Sequence, residues 1–199
     1  MKKLLFTVLV SATTFAFAQS MRVESGDFKF LKDQKEFNVK FDFKEATFYK
    51  EKMDEEDFIN KRVGEISKDK GEAEAGKWLK DWEYSKKESF QDKFLASLNK
   101  GGDRKGKAGS SAPYTLIVKT VWIYPGWFAG VMNQPAKVST DLVFVEAKNP
   151  SNVLLTISSE NALGDGGFIG VANNNDRIAE GYAKTGKSLA KMIAKGAKK

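Results

Sequence analysis

Apolar and polar residues alternate through GDFKFLKDQKEFNVKFDF (residues 26–43), with Phe28 and Phe30, then Phe37, Val39, Phe41 and Phe43, on every second position. Period 2 on both sides of the polar run Lys32-Asp33-Gln34-Lys35 predicts a β-hairpin with one buried face. The period then changes. Asp54, Glu55, Glu56 and Asp57 crowd a helix start, where carboxylates favour the positive end of the dipole, and Ile59, Val63 and Ile66 follow at helical spacing. Trp78 and Trp82 are four apart; Phe90, Phe94 and Leu98 repeat that interval, and Gly101-Gly102 stops the last helix. The tryptophan pair fits a sugar-stacking platform or a core-facing stripe, and the stripe is the stronger reading.

Residues 101–112, GGDRKGKAGSSA, read as a flexible connection. A β-rich half follows. YTLIVKTVWIYPG (114–126) is a long apolar strand. KVSTDLVFVEA (137–147) and VLLTISSENAL (153–163), joined by a five-residue polar turn, form an antiparallel hairpin. Between the strands 114–126 and 137–147 runs an unusually apolar connection, Gly126 to Pro135. GDGGFIGVANNND (164–176) carries Asp165 and Asp176 with three Asn, but it lacks the order and the distal Glu of a calcium loop. Asx residues capping the next helix account for Asn173 to Asp176 instead.

The chain closes with DRIAEGYAKTGKSLAKMIAKGAKK, and Gly181 to Ser188 spell a phosphate-binding loop, G-x-x-x-x-G-K-[ST]. Such a loop leaves a buried strand and opens a helix. Here Ile178, Tyr182, Thr185, Leu189, Ile193 and Ala197 fall on one helical face that runs through the letters without a break. The expectation is one amphipathic helix through Gly181 and Gly186, with Tyr182 and Leu189 toward a sheet and Lys184 and Lys187 in water.

Composition then sets the address and removes chemistry. MKKLLFTVLVSATTFAFAQS has basic residues, an apolar run and Ala16-Phe17-Ala18, which predicts a signal peptide over residues 1–18 and a mature chain, 19–199, starting at Gln19. No other segment approaches ~18 unbroken apolar residues. The sequence has no Cys and no His, so Ser-His-Asp and Cys-His nucleophile systems, His or Cys zinc sites, disulfides and a lipidated terminal Cys are all excluded. The 181 mature residues suit one domain. The net charge is +7; without Lys2 and Lys3, 31 basic residues stand against 26 acidic ones, or +5. The basic clusters, Arg104 to Lys107 and Lys184 to Lys199, fit solvated faces or weak contact with an anionic envelope surface rather than nucleic acid.

The strand ending in an aromatic-Pro-Gly turn, the hairpin KVSTDLVFVEAKNPSNVLLTISS, the Gly-rich loop and the Ala/Lys-rich last helix resemble the α/β envelope domain of curli-secretion and penicillin-binding-protein activator lipoproteins. The resemblance covers roughly residues 113–199, without the lipidated Cys of those proteins. It implies a non-catalytic adaptor or assembly factor of the bacterial envelope.

The expected fold is α/β (α+β): a single mixed, largely antiparallel sheet of about five strands, helices packed on it, and a long C-terminal amphipathic helix. The expected function is extracytoplasmic binding of another envelope protein, with no cofactor, no metal and no catalytic residues. The candidate partner-binding residues are Trp122, Tyr124, Trp127, Phe128, Val131 and Met132, more apolar than a connecting loop needs to be. The competing role for Trp127 and Phe128 is to fold back over one end of the core. Two alternatives remain: a lipid or sugar site between helices and sheet, and a carboxylate-dependent envelope hydrolase drawing on Glu146, Glu160 or Asp165.

Overall fold

A computed structural model describes residues 19–129, 132–164 and 174–197, with backbone alone at 128, 129, 132 and 133. The signal-peptide segment and the Asx-rich residues 165–173, Asp165 among them, lie outside the described residues. The elements in chain order are β1 (Ser20–Gly26), β2 (Glu36–Asp42), β3 (Thr47–Phe48), α1 (Glu55–Lys70), α2 (Glu72–Tyr84), α3 (Phe90–Lys100), β4 (Lys105–Ala108), β5 (Tyr114–Tyr124), β6 (Trp127–Ala129), β7 (Met132–Gln134), β8 (Ala136–Glu146), β9 (Asn149–Gly164) and α4 (Asn174–Gly196).

Among the described residues the main sheet has seven strands rather than five, in the order β1-β9-β8-β5-β2-β4, with β3 also on β5. β1, β9, β8 and β5 run antiparallel, whereas β2 and β3 lie parallel to β5 and β4 parallel to β2. The sheet is therefore mixed and largely antiparallel. The β8–β9 hairpin forms as its alternation predicts.

The hairpin expected over 26–43 does not form. Asp27 accepts from the backbone N–H of Lys29 at 2.8 Å, and residues 29–31 turn as one stretch of 3-10 helix. Phe28 and Leu31, three apart, thereby both reach the core. The strand before this turn is β1, whose residues are nearly all exposed at the sheet edge. Residues 101–112 also depart from a plain connection, because β4 forms within them. Gly106 lies so close to Leu98 and Val39 that an added Cβ would stand 2.7 and 2.9 Å from their methyl groups.

The helices follow the sequence signals. The Asp54 carboxylate accepts from the backbone N–H of Asp57 at 2.9 Å and caps α1. The α2 and α3 stripes supply Trp82, Phe90, Phe94 and Leu98 to one hydrophobic cluster with Leu116, Val118, Leu142, Phe144, Leu155 and Ile157. All four helices contribute to that cluster, so they share one face of the sheet. Of the alternate positions on the other face, Lys119, Ser139, Asp141, Thr156 and Ser158 are half-buried or exposed, whereas Thr115, Val143 and Val145 are buried. Trp78 is half-buried, stacked on Trp82 with ring centroids 6.1 Å apart, as expected of a stripe.

α4 is continuous across Gly181 to Ser188. Tyr182 and Leu189 are fully buried, Lys187 is exposed and Lys184 half-buried. Both glycines of the phosphate-loop letters have packing reasons. An added Cβ on Gly181 would meet Val138 Cγ2 at 2.7 Å, and one on Gly186 would meet the Phe94 carbonyl oxygen at 2.4 Å. The Thr185 hydroxyl donates back to the Gly181 carbonyl at 3.1 Å. The two glycines thus let α4 approach the sheet on one side and α3 on the other. Gly186→Ala should lower stability by about 2 kcal/mol, because overpacking against backbone outweighs the ~1 kcal/mol gain in helix propensity. Gly64→Ala, in α1 with nothing within 4 Å of the new Cβ, should instead stabilise by up to about 1 kcal/mol. Denaturant unfolding of both variants checks the pair, and a neutral or stabilising Gly186→Ala would contradict the close packing.

Arg104 and Lys105, which read as part of a basic cluster, act as clamps. Arg104 donates to the Leu31 and Lys32 carbonyls at 2.5 and 2.7 Å. Lys105 Nζ donates to the Asn99 and Gly102 carbonyls at 2.6 and 2.8 Å, which neutralises the C-terminal end of α3.

Candidate functional site

Where β5 and β8 leave the sheet, their chain continues as a separate two-stranded ribbon, β6–β7, with Trp127 opposite Gln134. Pro125 and Pro135 cannot donate to a ladder, so the main sheet stops there. Gly126 makes the turn with φ +69° and lies so close to the returning strand that an added Cβ would stand 2.3 Å from the Gln134 carbonyl oxygen. The ribbon is held side on by one amide. Gln134 Oε1 accepts from the Tyr124 hydroxyl at 2.5 Å and from the Trp127 indole N–H at 2.9 Å.

A register shift between Thr120 and Trp122 reverses which side chains face the core. Ile123 is fully buried, so Trp122 and Tyr124 point to the opposite side, where their rings stack with centroids 6.1 Å apart. Beside them Tyr49 adopts φ 58°, a left-handed conformation uncommon for so bulky a residue. That conformation has a use. The Tyr49 N–H donates to the Ile123 carbonyl at 3.0 Å, and its own carbonyl accepts the Trp122 indole N–H at 2.6 Å. The Tyr49 ring meets Tyr124 edge to face at 6.2 Å, with Lys61 Nζ 4.7 Å from its centroid. Burial raises the pKa of both Tyr49 and Tyr124, so their hydroxyls stay protonated well into alkaline pH.

Of the six predicted residues, the structure gathers Trp122, Tyr124 and Trp127 at this end of the sheet. Phe128 and Met132 lie in β6 and β7, described by backbone only, and Val131 is outside the described residues. Trp127 is 43 % exposed and Val121 42 % exposed. Trp127 is not enclosed as Trp82 is. Sequence reasoning missed Tyr49, whose role depends on a backbone conformation that its residue type disfavours. It also missed Gln134, whose clasp on Tyr124 and Trp127 has no signal in its residue type.

The other predicted sites are less well assembled. Glu146 ends β8 opposite Asn149, while Glu160 lies eleven residues along β9 from Asn149, about 35 Å at the rise of a strand. They form no catalytic pair. Glu160 instead meets the Arg22 guanidinium at 3.6 Å. A cleft of about 370 Å³ between α1 and α2 is bordered mainly by charged ends, Arg62, Lys70, Glu74, Lys77 and Asp81, with Ile66 and Trp78 as its apolar part. Lys77 is paired with Glu74, and Arg62 with Glu65, both at 2.6 Å. That lining does not resemble the apolar wall of a lipid pocket.

No protein-family model and no curated protein matches the chain. Among solved structures, the PelC dodecamer from Paraburkholderia phytofirmans in space group P6 is similar over 86 % of this chain and 97 % of that chain, at 13 % identity and a TM-score of 0.40. A single-substitution variant of the same dodecamer in space group C2 is similar over 89 % and 96 %, at 13 % identity and a TM-score of 0.42. Likeness at that distance assigns neither a family nor an activity to this chain.

Proposed function

We propose that this chain is a non-catalytic, extracytoplasmic binding protein of the bacterial cell envelope, which presents its aromatic end to another envelope protein. The observation that carries the reading is the exposed Trp127, tied through Gln134 to Tyr124. A tryptophan needed only for the core would be enclosed, as Trp82 is. One held half in water by a hydrogen bond at its polar edge has the character of an anchor for a partner's surface. The address comes from the signal-peptide pattern of residues 1–18, and among the described residues no helix is long and apolar enough to cross a membrane. Lys187, Lys191 and Lys195 form an exposed row along α4, suited to weak contact with an anionic envelope surface. Crosslinking in intact cells, followed by identification of the captured species, tests the proposal. Reproducible enrichment of one envelope protein is expected; enrichment of none would overturn it.

A further inference from the structure

We infer that Gln19 is held open-chain as the first mature residue, its carboxamide serving as a tie and kept from closing to pyroglutamate by the fold. The inference rests on the signal-peptide reading, which places the cut between Ala18 and Gln19. A terminal glutamine has a reaction available to it without any enzyme. Its neutral α-amine attacks its own Cδ, one amine proton passes through solvent to Nε2, the Cδ–Nε2 bond breaks and Nε2 leaves as ammonia, so the terminal charge and the carboxamide donor are both lost.

Closure requires the carboxamide to curl back onto the residue's own nitrogen. The structure holds it elsewhere. Nε2 donates to Ser159 Oγ on β9 at 3.0 Å, and Oε1 accepts from Ser188 Oγ on α4 at 2.9 Å. Ser159 is 1 % exposed. The two anchors belong to different elements, so the carboxamide bridges sheet and helix. The next residue, Ser20, already pairs with Glu160 in the β1–β9 ladder. On this inference, turning Cδ onto the α-nitrogen pulls the carboxamide out of both hydrogen bonds, and closure is slowed by their cost. The same contact explains Ser188, the last letter of the phosphate-loop pattern, as a tie to the chain terminus.

Intact-mass measurement of the processed protein, purified after secretion and incubated at neutral pH, tests this. The expected species is residues 19–199 with an intact terminal glutamine, losing ammonia at least about tenfold more slowly than the same protein in denaturant. A Ser159→Ala/Ser188→Ala variant, checked as folded by its thermal transition, should cyclise about tenfold faster than wild type. A wild-type chain that starts at Gln19 yet cyclises as fast folded as unfolded overturns the inference and leaves the signal-peptide reading standing. So does a double variant no faster than wild type. A different first residue overturns both.

Discussion

Trp82→Ala is expected to lower stability by about 3–5 kcal/mol, on the scale of other fully buried tryptophans. Trp82 is 0 % exposed and sits among Phe48, Phe58, Trp78 and Phe90, with ring centroids 5.1 to 6.1 Å away. Removing it empties the joint between the α1–α2 hairpin and the sheet. It also deprives the Glu55 carboxylate of the indole N–H that reaches it at 2.8 Å, leaving that half-buried group to Lys86 alone. At 2–4 °C per kcal/mol for a domain of this size, the midpoint should fall by about 10 °C. A thermal scan checks it. A loss below about 1 kcal/mol would mean that α1 and α2 are held by something other than this aromatic joint.

Trp127→Ala should behave in the opposite way. The indole is 43 % exposed and makes one hydrogen bond, to an amide that still accepts from Tyr124. Stability should therefore change by no more than about 1 kcal/mol. If Trp127 anchors a partner, its truncation costs about 2 kcal/mol of binding or more, a drop in affinity of roughly thirtyfold. The split between the two quantities is the informative result. A large fall in melting temperature with partner capture intact would identify Trp127 as core cover and remove the interface reading.

The helices were legible because their signals are local. The acidic run at residues 54–57 caps α1, the fourfold spacing of Trp and Phe marks the buried stripes, and the face from Ile178 to Ala197 passes through both glycines of α4. The β8–β9 hairpin was legible for the same reason. What failed was a local competition in one place and non-local pairing elsewhere. Period 2 at Phe28 and Phe30 gave way to a 3-10 turn because an Asp27 side chain captured the backbone. β1 carries almost no buried side chain, and β4 is four residues whose parallel partner, β2, lies about seventy positions earlier. Neither edge strand has a pattern to read. At the candidate site, the aromatic residues were visible as composition. The clasp through Gln134 and the left-handed Tyr49 arise only when distant segments meet.

The central claim is that the aromatic end, and not another apolar spot on the surface, meets the partner. A photo-activatable amino acid placed at Val121 or Trp127 tests this directly in living cells. Leu79 and Tyr84, on α2 and 37 % and 62 % exposed, serve as comparison sites of similar accessibility. The account predicts the same crosslinked envelope protein from Val121 and Trp127, and none from Leu79 or Tyr84. Crosslinks confined to the α2 positions, with the aromatic end silent, would contradict it.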